Sequence, residues 1–512
     1  MTRRLKYTVL LASLISLAVV GCVQTLNRTT ALPDAMQTVD KKAPFLKVHM
    51  RDGSLYILSP WAAKEDERRV TGTGTRFGVD RQQVGQGDFS IYIDSVALFE
   101  TNVARPSPSV AALGVITGIT AGIAVYCAAN PKACFGSCPT FYVTDGTRDL
   151  LQAEGFSASV APSLEARDVD ALFRARPRGR EVRIRMVNEA YETHIVRYAN
   201  LLIVPRVANR RVLADDAGEF WSVTEPVQAS RCLAPEGDCS AALATFDEKE
   251  RWSKSDSTDL ATRETIDLVF DEGPQTPALV IASRQSLLPT YLLYQAFAYL
   301  GTSVGEWMAS LERADPATAK RAGALAAALG GIDVMVPNGA GGWDSVATIR
   351  ETGPLAADVR LVQLPVTGKP VRVRLRMAKG AWRLDAVGLT SLEGSVKSQT
   401  IEPSQVLANG RPAGDARAKL VSSRDALVTF PGDSYTLVYT LPADAARYEL
   451  FLETKGYYLE WMREEWLAET NPLRAMALFM DPVGSLRRLA PEFKKEEAQL
   501  EASFWRSKYA GF

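Results

Sequence analysis

Six cysteines are the residues of this 512-residue chain with the clearest capacity for covalent chemistry. After Cys22 they form a close group of three and a pair, namely Cys127, Cys134 and Cys138, and Cys232 and Cys239. In an oxidising compartment, thiols this close in sequence are typical of disulfides rather than zinc sites, and only two histidines exist to help a metal. We predict a Cys232–Cys239 bridge around the loop LAPEGD first, with Cys134 and Cys138 as further candidates. Five thiols is an odd number, so one stays reduced or pairs with another chain.

The segment Gly301-Thr-Ser-Val-Gly305 matches the Gly-x-Ser-x-Gly pattern of a serine nucleophile elbow. That elbow needs a preceding strand and a later histidine, but His49 and His194 both precede Ser303. We therefore interpret the match as a chance occurrence in a helix. The sequence also lacks Ser-x-x-Lys, a Walker loop and His-Glu-x-x-His, so serine, phosphate and zinc chemistry lack their usual residues. No catalytic residue, cofactor or metal is expected. We interpret His49, which alternates with apolar neighbours, as solvent-facing.

Two groups of charged residues could bind or transfer ions. The segment SLEARDVDAL places Glu165, Asp168 and Asp170 close together, as acid/base or calcium sites do. The ligand spacing and glycine of a calcium loop are missing, so we interpret this segment as a solvated turn.

The second group is the strand VRVRLRM, in which Arg372, Arg374 and Arg376 alternate with apolar residues. Such a face could bind anionic sugar or lipid head groups. We interpret it as a solvated face with cross-strand salt links.

The N-terminus has the three regions of a secretion signal, over Met1 to Cys22. Arg3, Arg4 and Lys6 form its charged head, and an apolar stretch leads to Val-Val-Gly-Cys22. A small residue before a cysteine at this point resembles the lipobox of bacterial lipoproteins, which implies that Cys22 is lipidated and becomes the mature N-terminus. The lipobox rules also imply an outer-membrane location, on the periplasmic side or at the cell surface, because no aspartate follows Cys22.

A nearly charge-free stretch from Val110 to Ala129 carries Gly114, Gly118 and Gly122 at every fourth position. On a helix these glycines line one face and allow very close packing. The spacing resembles that of glycine-zipper lipoproteins of bacterial outer membranes. We expect either a membrane-embedded or oligomerising zipper, or a buried helix packed by its glycine face.

Composition and periodicity predict a folded, mainly β protein with α segments, an α+β multi-domain chain. Hydrophobic residues make up 46% of the chain, which suffices for a large core, and 59 basic against 59 acidic side chains give no reason to expect a nucleic-acid partner.

The sequence of the C-terminal region predicts helices, with Leu486, Phe493 and Leu500 repeating every seven residues. The expected domains are a signal peptide (1–22), a tether (23–44), a small antiparallel β meander or barrel (45–105), the glycine-zipper helix (106–132), a cysteine-containing β domain (133–285), a helical segment (286–330), a β-sandwich-like domain (331–445) and a helical C-terminal region (446–512).

The phrases CFGSCPTFYVTDG and LLQAEGFSASVAPSLEARDVDAL, with FLKVHMRDG and DSVALFETN upstream, resemble a group of uncharacterised bacterial envelope lipoproteins. The resemblance covers residues 45–220, and more loosely GYYLEWMREEW, and implies a compartment but no catalytic residues.

We expect a lipid-anchored envelope protein with a non-catalytic binding or scaffolding role. Two alternatives stay open. A hydrolase of cell-wall or surface glycans would need two inward carboxylates about 5 to 10 Å apart in a cleft. A membrane-inserted assembly or export factor would use the glycine-zipper helix. Expected partners are the membrane through the N-terminal lipid, an envelope protein or glycan, and a second copy of the chain.

Overall fold

The computed structural model describes residues 24–51, 53–78, 83–106, 138–144, 148–304, 307, 323–350, 352–366, 368–461, 466 and 469–508. The chain forms two compact units, Met1–Val125 and Tyr126–Phe512. It is mainly β, with several antiparallel sheets and a helical region near the C-terminus, which confirms the predicted α+β class. In the described ranges, no helix has both the length and the apolar character needed to span a membrane.

The first unit holds one six-stranded antiparallel sheet. Its strands are β1 (Gln24–Ala31), β2 (Leu46–Met50), β3 (Leu55–Lys64), β4 (Arg69–Phe77), β5 (Gln83–Tyr92) and β6 (Val96–Pro106), in the order β1–β6–β2–β3–β4–β5. Alternating apolar residues bury one face, with Leu46, Val48, Leu58, Val70 and Phe99 inaccessible to solvent. The predicted antiparallel meander is present in β2 to β5.

The predicted tether over 23–44 is wrong for its described residues. β1 pairs with β6 along its whole length, from Gln24 opposite Pro106 to Ala31 opposite Phe99. A short 3-10 helix, Pro33–Thr38, follows and buries Met36. Polar sequence hid this strand, because edge pairing is made by backbone groups and needs no apolar alternation.

The strands of the second unit are listed here in chain order: β7 (Thr140–Thr144), β8 (Asp149–Glu154), β9 (Ala166–Ala171), β10 (Glu181–Val187), β11 (Glu192–Pro205), β12 (Arg211–Ala214), β13 (Phe220–Val223), β14 (Val227–Gln228), β15 (Arg231–Ala234), β16 (Gly237–Asp238), β17 (Arg251–Trp252), β18 (Arg263–Phe270), β19 (Pro277–Gln285), β20 (Ile332–Pro337), β21 (Trp343–Ile349), β22 (Asp358–Gln363), β23 (Val371–Ala378), β24 (Trp382–Val396), β25 (Gln399–Ile401), β26 (Gln405–Ala408), β27 (Arg411–Pro412), β28 (Leu427–Thr429), β29 (Ser434–Thr440) and β30 (Tyr448–Glu460). Helices cover Leu288–Leu300, Ala324–Leu329, Gly414–Leu420, Pro472–Met480 and Pro482–Lys508.

These strands form four antiparallel sheets. The first has the order β27–β26–β29–β10–β7–β8, and the second has β25–β11–β30–β9 with β28 beside β11. The third has β12–β13–β24–β19–β22 with β14 and β17 beside β24, and the fourth has β16–β15–β18–β23–β20–β21.

The four sheets bury their apolar faces in pairs, as layers of a β-sandwich do. Ile184 and Leu437 of the first sheet share a core with Leu201 and Leu452 of the second. A larger core joins the third and fourth sheets, and each fully buried leucine or phenylalanine in it contributes about 1.5–3 kcal/mol.

The helix Pro482–Lys508 covers this larger core. Asp481 caps the helix by accepting the Gly484 backbone N–H at 3.0 Å, and Leu486 and Phe493 are fully buried. Two residues of the predicted seven-residue repeat, Leu486 and Phe493, therefore face this core, and the third, Leu500, packs against it partly buried.

The predicted domain boundaries after 285, 330 and 445 are wrong, because sheets form across them. β10 pairs with β29, β11 with β30 and β18 with β23. The segment 448–460 is strand rather than helix, since thirteen residue pairs with β11 override its local helical preference.

Candidate anion-binding site

Several predicted site residues lie outside the described residues: Cys22, Cys127, Cys134, Gly114, Gly118 and Gly122. Cys138 is buried, and its backbone N–H donates to Glu192 Oε2 at 2.8 Å. The packing of the glycine face and the acylation of Cys22 thus stay predictions.

The predicted Cys232–Cys239 disulfide is present, with an S–S distance of 2.03 Å. It closes the small hairpin of β15 and β16, and both residues are buried in the larger core. The Cys239 backbone N–H donates to the Cys232 carbonyl oxygen at 3.0 Å, so the covalent bond and a backbone hydrogen bond join the same two residues.

The Gly-x-Ser-x-Gly match does not form a nucleophile elbow. Gly301 ends the helix Leu288–Leu300 with a positive φ of 55°, and Ser303 follows in a 3-10 turn. An elbow needs a strand before the serine, and here a helix precedes it.

Both histidines are paired with glutamates. His49 Nε2 lies 2.7 Å from Glu100 Oε2, and its side chain is only 13% exposed, so the prediction that it faces solvent is wrong. His194 is completely buried in β11, with Nε2 3.0 Å from Glu192 Oε2. Burial lowers the pKa of His194 to about 3, because the charged imidazolium loses its hydration.

The carboxylates of SLEARDVDAL do not lie in a solvated turn, as the sequence predicts, because most of the segment is strand β9. Asp170 is buried there, and Asp168 pairs with Arg360 of β22 at 3.5 Å. Burial raises the pKa of Asp170 well above its usual range, and the neighbouring carboxylates add to the effect. Burial likewise raises the pKa of Asp358 to about 6, although Arg360 opposes that shift. In the part of the chain that the structure describes, no three His, Cys, Asp or Glu side chains are placed to hold a metal.

The cationic strand β23 forms the salt links that the sequence predicts. Arg374 donates to both carboxylate oxygens of Asp267, at 2.6 and 2.9 Å, and lies 4.3 Å from the Trp343 ring. Arg376 pairs with Asp333 at 2.9 Å. Cross-strand aspartates therefore neutralise Arg374 and Arg376, two of the three arginines of this strand face, while Arg372 is exposed.

A small cavity of about 20 Å³ has acidic residues among its lining, including Glu250 and Asp385. Glu250 forms a two-bond ion pair with Arg284, and Asp385 accepts the backbone N–H groups of Asp247 and Glu248 at 3.0 and 2.9 Å. A volume near that of one water molecule holds no sugar ring.

A much larger cavity, of about 410 Å³ and open to solvent, is lined by arginines. We call it the arginine cavity, and its charged and aromatic lining residues are Phe173, Arg176, Arg206, Arg210, Arg211 and Glu449. Arg206 directly follows β11, Arg211 begins β12, and Glu449 lies at the start of β30. The turn between β11 and β12 includes Asn209 at a positive φ of 58°, which asparagine tolerates better than most residues. The cavity thus lies where strands of the second and third sheets end.

Positive charge exceeds negative charge in the arginine cavity. Glu449 is shared by two arginines, with Arg206 at 3.3 Å and Arg211 at 3.4 Å. Arg210 pairs with Glu393 at 3.3 Å, a residue outside the lining. Arg176 Nη1 donates to the carbonyl oxygens of Phe173 and Ala175, at 2.7 and 2.9 Å. Two carboxylates, Glu449 in the lining and Glu393 beside Arg210, thus oppose four guanidinium groups. The remaining positive charge leaves the cavity suited to an anion, since guanidinium forks match carboxylate and phosphate oxygens.

No recognised motif of the sequence points to this site. The sequence feature that could have indicated it is the density of arginines in RARPRGR and in RVANRR, two irregular segments without a binding motif. No protein-family model matches this chain, and no curated protein sequence matches it either.

Proposed function

We propose that this protein is a lipid-anchored component of the bacterial cell envelope with a non-catalytic binding role, and that it binds anionic groups in the arginine cavity. The arginine cavity carries this proposal, because four guanidinium groups surround an open space with one carboxylate among them. Binding alone needs no nucleophile or general base, and the carboxylate of the charged lining, Glu449, is engaged by Arg206 and Arg211.

The envelope location rests on the sequence. The segment up to Cys22 has the charged head, apolar body and lipobox-like end of a lipoprotein signal. A disulfide between Cys232 and Cys239 suits an oxidising compartment outside the cytoplasm. The resemblance to envelope lipoproteins supports the same location, in the outer membrane.

The geometry of the cavities supports a function as a glycan hydrolase less than it supports a binding role. The acidic cavity holds only about 20 Å³, and its Glu250 and Asp385 are engaged by an arginine and by backbone donors. The assembly-factor alternative depends on the helix expected over 106–132, of which residues 107–132 lie outside the described residues.

Binding is tested by calorimetric titration of the purified chain with glucose 6-phosphate and galacturonate, at fixed ionic strength because salt screens exposed charges. Glucose and galactose serve as uncharged counterparts. We expect the two anions to bind and the two neutral sugars not to bind.

The variant Arg176→Gln/Arg210→Gln should weaken anion binding at least about tenfold, since charge-assisted hydrogen bonds contribute about 1.5–3 kcal/mol each. The matched control is Arg372→Gln/Arg424→Gln, which removes the same charge from exposed residues outside the cavity. Equal losses in both variants would show general charge attraction and refute the site.

A further inference from the structure

We infer that the ligand of the arginine cavity is a linear anionic glycan, with acidic groups on successive sugar residues, that extends into a second arginine-lined pocket. This inference rests on the proposed function and identifies its ligand class. The second pocket has a volume of about 290 Å³ and is also open to solvent. Its lining includes Thr144, Arg176, Pro177, Arg178, Glu181 and Arg183.

Arg176 belongs to both cavities and connects them. Its Nη1 is held by two backbone carbonyls, whereas its Nε and Nη2 donate to no group in the described ranges. A guanidinium has five N–H donors, so most of those of Arg176 remain for a ligand. One arginine can therefore contact a chain that passes from one cavity to the other.

The second pocket adds its own positive charge. Arg183 pairs with Glu181 at 2.7 Å, so these two charges offset each other. Arg178 is exposed and forms no ion pair or side-chain hydrogen bond with the described residues. A second anionic group on the ligand would supply the partner of Arg178.

The loop that carries Arg176 and Arg178 is fixed by backbone hydrogen bonds. The Arg176 N–H donates to Thr144 O at 3.0 Å, and Gly179 O accepts the Ala445 N–H at 2.7 Å. Arg180 continues this anchoring, since its Nε donates to Leu441 O at 2.8 Å. A loop held on both sides loses little backbone entropy when a ligand binds, so the backbone positions that carry Arg176 and Arg178 are preorganised.

A glycan fits the lining better than a nucleic acid does. Single-stranded nucleic acids bind by stacking bases on exposed aromatic rings. Phe173 is the aromatic residue among the lining of the arginine cavity. Its ring contacts Phe246, with centroids 6.2 Å apart, and the Arg211 guanidinium lies 5.3 Å from its centre. Arg211 therefore lies over one face of this ring, and the lining of the second pocket contains no aromatic residue among the described residues.

The test compares galacturonate with its linear hexamer in calorimetric titrations at one ionic strength. We expect the hexamer to bind the native chain at least about tenfold more tightly than the monomer. One additional charge-assisted hydrogen bond in the second pocket accounts for a gain of roughly this size. In Arg178→Gln the ratio of hexamer to monomer affinity should fall towards one, and Arg424→Gln should keep the native ratio. The two variants lose the same charge, so the comparison separates contact in the second pocket from the statistical gain of presenting an anion several times.

The titration results distinguish failure of anion binding from failure of the extended ligand. If neither sugar acid nor glucose 6-phosphate binds, the proposed function fails, and the inference fails with it. If the monomer binds but the native chain gains nothing from the hexamer, the extended ligand is wrong while anion binding stands. A gain that persists unchanged in Arg178→Gln also overturns the second pocket. Tighter binding of a thymidine oligonucleotide of equal charge would replace the glycan by a nucleic acid.

Discussion

Acidification should destabilise the second unit through His194. This residue is completely buried in β11, and its ring nitrogen Nε2 lies 3.0 Å from Glu192. Burial lowers its pKa from 6.5 to about 3, against the opposing influence of Glu460 and Asp433. The unfolded chain then binds a proton at a pH where the folded chain does not. The free energy of unfolding therefore falls as pH falls below the unfolded pKa, and the loss continues down to the folded pKa.

The size of this effect follows from the two pKa values. Between pH 7 and pH 5 the unfolded imidazole becomes almost fully protonated, while the folded one stays neutral. For one such group, linkage gives a loss of about 2 kcal/mol in the free energy of unfolding over this interval. Since a typical domain has only about 5–15 kcal/mol in total, the change is measurable by urea unfolding.

The variant His194→Gln isolates the contribution of this residue. Glutamine keeps an N–H that can donate to Glu192 but does not titrate, so the loss between pH 7 and pH 5 should shrink by about 2 kcal/mol. His49→Gln is the matched control, because the chain contains only these two histidines and His49 lies in the first unit. Equal pH dependence in the native chain and in His194→Gln would refute this reasoning. A midpoint near pH 6.5 in an NMR titration of the His194 ring would also refute it.

Three further predictions concern the anchor, the disulfide and the packing of one strand. Cys22→Ser should abolish incorporation of labelled fatty acid in cells, and persistent labelling would contradict lipidation. Peptide mapping without reduction should recover Cys232 joined to Cys239, and replacing both by serine should lower the free energy of unfolding by about 2–3 kcal/mol, as expected for so short a loop. Gly456→Ala should cost about 1–3 kcal/mol, because a Cβ there would overlap a backbone oxygen of the neighbouring strand. Gly414→Ala, where nothing lies within 4 Å of the added carbon, should be nearly neutral in the same denaturation experiment.

Strands with one buried face could be predicted from the sequence. In β10, Val182, Ile184 and Met186 are buried and Arg183 is exposed, as their alternation predicts. The same rule holds in β23, where a two-residue period separates apolar from charged side chains. Such patterns are local, because each side chain's direction depends only on its position along its own strand.

Pairing between distant strands could not be predicted in this way. The segment Tyr448–Glu460 contains leucine, glutamate and lysine, which favour helices, yet it lies between β11 and β9. The sequence of β1 likewise did not predict a strand, because its polar residues show no apolar periodicity. It forms a strand because β6 supplies its backbone hydrogen-bond partners. In both segments the partner strand decides the structure, and single-sequence periodicity contains no information about that partner.

The arginines of β23 and those of the arginine cavity differ in whether a neighbouring strand supplies a carboxylate partner. On β23, sheet register sets Arg374 opposite Asp267 and Arg376 opposite Asp333, so neighbouring strands supply a carboxylate for each of these guanidinium groups. Beyond the end of a strand the chain turns, and no residue of a neighbouring strand lies directly opposite. Sheet register therefore supplies no carboxylate partner to an arginine there. Arg176 lies in such a turn, and its described partners are backbone carbonyls rather than carboxylates. Arg176 therefore keeps its positive charge without a cross-strand carboxylate partner among the described residues. Which strand ends meet depends on the long-range pairing that the sequence does not reveal.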